Sequence, residues 1–353
     1  MVKVTVIKTS PETVIEDYSM LLDSAEYKKY LPIGKDIILK LNLSWTKFFP
    51  ACSTQPWQLD GVLNKLKKDG HKKIYPVENN TVVTDVKKGV VENKWINILK
   101  KNKLKLQPLT EVEWVDYKIK NELLAIPKIF PNGLKIPKMF IGKNVLHLPT
   151  IKTHGHTVTT GAMKNAFGGL ITKRRHHCHK MIHEVLVDLL QIQKEIHPGI
   201  FAVMDGAVAG DGAGPRTMIP REKNYILASN DQVAIDVISA KMMGFNPLKI
   251  KYIKLAHDKG LGCGDVKDID IVGEDVNNVN FKFQTEKSPV IFFDQLFRKR
   301  LKFIEKILFH TSLFHFCVMG SNYYHDHLWY NTVGRKRINK FMKTEWGQLF
   351  KQY

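Results

Sequence analysis

The first eighty residues switch repeatedly between two hydrophobic periods, and this alternation limits the fold more than any other feature. VKVTVIK alternates with a period of two, as a strand does. PETVIEDYSMLLDSAEYKK spaces its apolar residues three and four apart behind a proline in the first turn, as a helix does. DIILKLNL is an apolar run of strand length, QPWQLDGVLNKLKKDG has helical spacing and stops at Gly70, and KKIYPVEN returns to strand. A β-α-β-α-β order predicts parallel strands joined by right-handed crossovers and covered by helices. Ligands of such sheets sit outside the carboxyl ends of the strands, which marks Asn42 and Glu78, each just past a strand.

Residues 103–142 read as short strands and turns punctuated by Pro127, Pro131 and Pro137, a small inserted subdomain. NVLHLPT, IFAVMD, NYILASN and KDIDIVGED are further strand candidates, and DQVAIDVISAKMMG is a helix with Asp231 at its N-cap. From residue 286 the chain turns basic and aromatic. The expected architecture is therefore α/β: a mostly parallel sheet with flanking helices over 1–285, and a helical basic C-terminal extension over 286–353.

Fifty-four Lys and Arg against thirty-four Asp and Glu leave a formal charge of +20. That excess predicts attraction to anions, whether small ligands, nucleic acid or an acidic membrane. The four cysteines form no CxxC pair, so no iron–sulfur or zinc-ribbon motif is written here. The N-terminus reads as a strand, not a signal segment, and no apolar run approaches 18 residues, so a reduced cytoplasmic protein is expected.

The densest chemistry lies in LPTIKTHGHTVTTGAMKNAFGGL. Lys152 and Lys164 bring positive charge, His154 an acid/base group, and Thr160, Asn165 and the free amides of a helix start bring donors for an anion. The spacing is neither a Walker loop nor GxGxxG. In KRRHHCHKMIH, His176, His179 and His183 fall at i, i+3 and i+7, one face of an α-helix, and form a candidate divalent-metal site. A solvated basic helix start explains the same pattern. Lys173, Arg174 and Arg175 suit a phosphate or carboxylate, and they should lower the pKa of Cys178. In MDGAVAGDGAGPR, Asp205 ends a strand and a flexible glycine stretch carries Asp211 and Arg216; the two aspartates serve either as base or metal ligands or as turn caps. Lys40 and Asn42 in LKLNLSW, and Thr54 in ACSTQPW, complete the candidate substrate-binding set. A Lys in an apolar strand is costly to bury unless it is paired.

KTHGHTVTTGAMKNAFGG, MDGAVAGDGAGPR and ASNDQVAIDVISAKMMGF, in that order and after ILKLNLS and STQPW, resemble the domain of unknown function 362 family over roughly residues 1–275. The resemblance implies an α/β fold with a shared site. Many members carry ferredoxin-type cysteine motifs, from which this chain departs. A more distant likeness is to nickel-dependent lactate racemase, in which a His-containing loop precedes a Gly-rich turn and a Lys that carries a pincer cofactor. His154, Gly161 and Lys164 keep that order, His176 to His183 would supply the later ligand, and the Gly-Gly before the Lys is absent.

Two functional readings follow. In the first, loops around Asn42, Lys152–Lys164 and Asp205–Asp211 converge into the site of an enzyme for a small anionic carboxylate or phosphate. There His154, Lys164, Asp205 and Asp211 act as acids, bases or metal ligands. In the second, a non-catalytic protein uses its charge and the segment VIFFDQLFRKRLKFIEKILFHTSLFHF on nucleic acid or an anionic membrane, unless that segment simply packs on the core. The first is preferred, because adhesion by charge needs no His or Asp beside glycine loops.

Overall fold

A computed structural model describes residues 1–81, 83–171, 175–299, 309 and 311–353. The strands are β1 (Val2–Lys8), β2 (Ile37–Lys40), β3 (Ile74–Glu78), β4 (Gln107–Pro108), β5 (Trp114–Tyr117), β6 (Leu134–Pro137), β7 (Asn144–His147), β8 (Thr150–His154), β9 (Val158–Thr160), β10 (Ile200–Ala213), β11 (Thr217–Ser229) and β12 (Ile269–Gly273). The main sheet runs β12-β1-β11-β10-β7-β2-β3-β4. Its neighbours pair parallel except β11, which is antiparallel to both β1 and β10. The fold is thus α/β with a mostly parallel sheet. β8 pairs with β10 beyond the end of β7 and turns back through β9, while β5 and β6 make a separate hairpin within 103–142.

Helices α1 (Val14–Ser24) and α2 (Pro56–Lys68) cover one face of the sheet, and α3 (Val86–Glu92) and α4 (Trp95–Lys101) extend that layer. After the short α5 (Ile126–Ile129), helices α6 (Ala162–Leu170), α7 (Ile182–Ile196), α8 (Gln232–Met243) and α9 (Lys251–Asp258) cover the other face. The period of two decides which strand residue meets which layer. Ile37 and Leu39 of β2 pack towards α1 and α2, whereas Ile38 packs towards α6 and α7. Lys40 continues the register of Ile38. On β10, Phe201 and Val203 face α1 and α2 and Ala202 and Met204 face the opposite layer, so Asp205 continues on the α1–α2 side.

One expectation needs correction, and another gains detail. The glycine stretch after Asp205 is not a loop: β10 continues to Ala213, so Asp205 lies within the strand. The glycines there admit β8 packed close beside β10, since a Cβ at Gly210 would collide with Met218 and stand 3.0 Å from Lys152 Cβ. The basic aromatic extension also divides into two parts. After α10 (Pro289–Lys299) and the helix Phe314–Asn322, the chain passes through π-helical turns over Tyr323–Gly334 and the helices Arg335–Phe341 and Glu345–Gln352. Trp329, Phe341, Trp346 and Phe350 join the core beside α1 and α2. There Phe350 stacks on Phe48 at 3.7 Å, Trp346 tilts over Trp57 at 4.9 Å, and Trp346 Nε1 donates to Asn224. The last thirty residues of the extension are therefore part of the core layer.

Candidate functional site

The carboxyl ends of β2, β3 and β7 carry Lys40, Glu78 and His147, where the rule for parallel sheets puts a ligand. Lys40 is almost fully buried and donates to both carboxylate oxygens of Glu78 at 2.9 Å and to the Leu41 carbonyl. Glu78 also accepts the amides of Leu43 and Asn79. Burial pushes the Lys40 amine down, and the Glu78 carboxylate opposes that push. The pair sits beneath α6: a Cβ at Gly168 would lie 3.2 Å from Lys40 Nζ and 3.3 Å from Glu78 Oε1, and one at Gly169 would lie 3.3 Å from Lys40 Cε.

Lys152 of β8 enters from the side. It is fully buried and its amine donates to Asn42 Oδ1, Ser44 Oγ and the Cys52 carbonyl. Burial lowers its pKa to about 8. Lys164 of α6 is partly exposed, and its amine has no hydrogen-bonded or carboxylate partner among the described residues; it lies 5.9 Å from the centre of the Phe167 ring. Desolvation, followed by the charges of Lys152 and Arg175, lowers its pKa to about 7. Arg175 donates to the carbonyls of Gly168 and Ile171, and burial brings it to about 10 against the pull of Glu78. Among the described residues, the neighbourhood thus gathers four cationic side chains around one carboxylate, which is already engaged by Lys40.

Two imidazoles here, His154 and His147, are held below the ordinary histidine value. Burial, then the Lys164 charge, holds His154 well below its ordinary value, and its Nδ1 accepts the His156 amide, which leaves the ring proton on Nε2. His147 falls to about 3 through burial and bridges Gln193 and Asn165; the amide of Asn165 also donates to the Lys40 carbonyl. Several deeply buried polar atoms have no partner among the described residues: Thr160 Oγ1, across the β8–β9 ladder from Lys152, Ser53 Oγ, and both side-chain atoms of Asn79 beside Glu78. Buried orphan donors and acceptors next to excess charge fit a ligand or ordered water.

The structure thus brings together Lys40, Asn42, Lys152, His154, Lys164 and Asn165 among the expected residues, with Thr160 at the margin. Thr54 is a tie: its hydroxyl accepts the Asn42 amide and donates to the Leu148 carbonyl. The amides at the start of α6 are not free for an anion. Asp236 of α8 accepts from Ala162 and Met163, and Gly161 is required because a Cβ there would overlap that carboxylate. Burial raises Asp236 to about 7. Asp231 caps α8 as expected, accepting from Val233 and Ala234.

Asp205 does not join the cluster. On the α1–α2 face it accepts from Tyr18 Oη at 2.6 Å and Trp57 Nε1 at 2.8 Å, and burial raises its pKa to about 6. Asp211 pairs with Arg221 and accepts the Gln284 amide. Arg216 faces the C-terminal segment, 6.0 Å from the Trp45 ring and within reach of Ser321.

The three histidines do not share a face, because the segment tightens into 3-10 turns over Arg175–Met181 and restarts as α7 at Ile182. His176 stacks on Phe314, His183 on Tyr252 and His179 on His156. Cys178 also departs from expectation: burial outweighs its basic neighbours and pushes the thiol up to about 12. Lys173 and Arg174 lie outside the described residues. Among the described residues, one metal-compatible grouping forms instead: ligand atoms of His156, His179 and Asp294 lie within 4.8 Å of one another. Arg298 already holds both Asp294 oxygens at 3.0 Å, so a cation would compete with a guanidinium.

Sequence reasoning missed Ser44, Asn79 and His147. Asn79 and His147 stand at strand ends, where the parallel-sheet rule could have found them. Asp294 reaches the loop only through tertiary packing and carries no local signal.

A thylakoid-associated protein of Synechocystis sp. is 25% identical over 235 residues, which is 65% of this chain and 69% of that protein. No solved structure matches the chain. No described helix is long and apolar enough to cross a membrane. The family model described as a domain of unknown function, DUF362, matches residues 37–241, from the start of β2 through almost all of α8 and so across the cationic cluster; this chain belongs to that family.

Proposed function

We propose that this chain is an enzyme that holds a small anionic substrate, a carboxylate or a phosphate, against Lys152, Lys164 and Arg175 and moves a proton through Lys164 and His154. One observation carries the reading: Lys164 has an amine lowered to about 7 and no counter-ion among the described residues, beside two other cations and a carboxylate already paired elsewhere. Clustered cations without a partner are costly, and an anion relieves that cost. An amine that titrates near neutrality exchanges protons readily in either direction. His154, with its proton on Nε2, supplies a neutral donor, and Lys152 is oriented by Asn42 and Ser44. A divalent ion, where one takes part, would use His156, His179 and Asp294. The Synechocystis relative is named for its association with thylakoids, and for this chain that supports work beside a membrane.

Isothermal titration with inorganic phosphate and malonate tests the reading in the wild type, Lys164→Met and Lys152→Met. Each substitution should weaken binding at least about tenfold, about 1.4 kcal/mol. Amine-selective labelling of Lys164 should show a midpoint near 7. Wild-type protein that binds neither anion, or variants that bind both unchanged, would overturn the proposal.

A further inference from the structure

We infer that α10 and the helix Phe314–Asn322 form one face that docks on an anionic lipid bilayer, lying in its interface without crossing it. Among the described residues, eight of the fourteen exposed large apolar side chains lie at or beyond residue 292. The most open are Phe292 at 53%, Phe293 at 52%, Phe316 at 69%, Met319 at 64% and Tyr323 at 59%. A concentration of exposed aromatic and apolar side chains marks a surface that meets something less polar than water.

The two helices are bridged. Arg298 of α10 lies over the Phe309 ring at 4.0 Å, Phe309 tilts against Phe314 at 6.1 Å, and Phe314 stacks on His176. Charge selects the occupant. Residues 307–325 contain no Lys, Arg, Asp or Glu, whereas 298–306 hold five basic residues and one acidic, and 335–343 hold five basic and none acidic. An uncharged aromatic stretch between two cationic stretches matches an interface in which apolar side chains enter the acyl boundary and amines meet anionic headgroups. Nucleic acid would match the cations but leave Phe292, Phe316 and Met319 in water.

The inner side of this face bears on the cationic site. Ile291 closes over Gly155, where a Cβ would lie 2.9 Å from its side chain, and Gln295 donates to the Gly155 carbonyl, next to His154. A docked surface would therefore stand directly above the loop that carries His154 and His156. The docking inference does not depend on the anionic-substrate proposal.

Sedimentation of the full chain with phosphatidylcholine vesicles, with and without about 30 mol% phosphatidylglycerol, tests the inference. The wild type should bind the anionic vesicles, and less so as salt rises. Phe292→Ser with Phe293→Ser, and separately Phe316→Ser with Met319→Ser, should each weaken that binding at least about tenfold while leaving the thermal midpoint and phosphate binding unchanged, because these side chains are more than half exposed. The inference is overturned if the wild type ignores anionic vesicles, or if both double variants bind them like the wild type. It is equally overturned if the same substitutions abolish self-association or binding to a single-stranded oligonucleotide while vesicle binding is absent.

Discussion

Asp205 lies under α1 and α2, and the Lys40–Glu78 pair lies under α6, on the other side of the same sheet. Around Asp205, a phenol and an indole both donate to Oδ2, Oδ1 has no hydrogen-bond partner, and no cation is in hydrogen-bond contact among the described residues. Around Lys40, four cations share one carboxylate. The first cluster is a carboxylate held by neutral donors within the fold's architecture; the second is a group of cations that outnumber their carboxylates among the described residues. A buried polar group is thus informative through what its neighbours lack, more than through its own burial.

The largest expected effect that tests this contrast comes from Glu78→Gln. It leaves Lys40 buried without a counter-charge and should cost about 3–5 kcal/mol in urea unfolding. A loss below about 1 kcal/mol would mean that Lys40 is neutral or finds another partner.

Asp205→Ala strips the acceptor from Tyr18 and Trp57 and should cost about 2–4 kcal/mol. The pH dependence sharpens this. The folded value of about 6 lies above the ordinary 3.8, so the folded state holds the proton more tightly. The stabilisation this gives is complete below 3.8 and is lost as pH rises through 6. Asp205→Asn should flatten that part of the stability profile, and an unchanged profile would assign it to another group.

Lys164→Met should leave stability within about 1 kcal/mol of wild type, or raise it, because it removes a like charge from the cluster. Sulfate, whose charge is constant over this range, should bind the wild type more tightly as pH falls from about 9 to about 6, since Lys152 gains its proton near 8 and Lys164 near 7. The variant should keep only the Lys152 part of that rise. Strong destabilisation by Lys164→Met would move the residue into the architectural class.

The smallest effect expected is from zinc. Thermal shift with Zn²⁺ should be slight in the wild type and larger in Arg298→Gln, which releases Asp294. A large wild-type shift abolished by a chelator would show that the guanidinium yields to metal.

Much of this could be read from the chain before any coordinates. The alternating periods gave the parallel sheet, and Lys40 in an apolar strand announced a pairing that Glu78 supplies. Asn42, Lys152 and Lys164 were recognisable because polar groups cluster just past strand ends. What stayed hidden depended on partners far along the chain. Asp236 seals the start of α6 from 74 residues away, so the amides that a local reading leaves free are occupied. The histidine spacing assumed one continuous helix, but the chain tightens into 3-10 turns before α7. The glycines after Asp205 signalled a loop, whereas they make room for β8 packed close beside β10. The aromatic extension gave no local sign of where it divides, because Trp329 and Trp346 find their pockets beside Trp45 and Trp57 only in the folded molecule.

The helix that bears Lys164 rests on the Lys40–Glu78 pair through the bare backbone at Gly168 and Gly169. A Cβ at position 168 would stand 3.2 Å from Lys40 Nζ and 3.3 Å from Glu78 Oε1, so a side chain there requires the pair to give way. Through evolution, then, position 40 and positions 168 and 169 should vary together: a chain that shortens the first can afford side chains at the others, and a chain that keeps the lysine must keep them small.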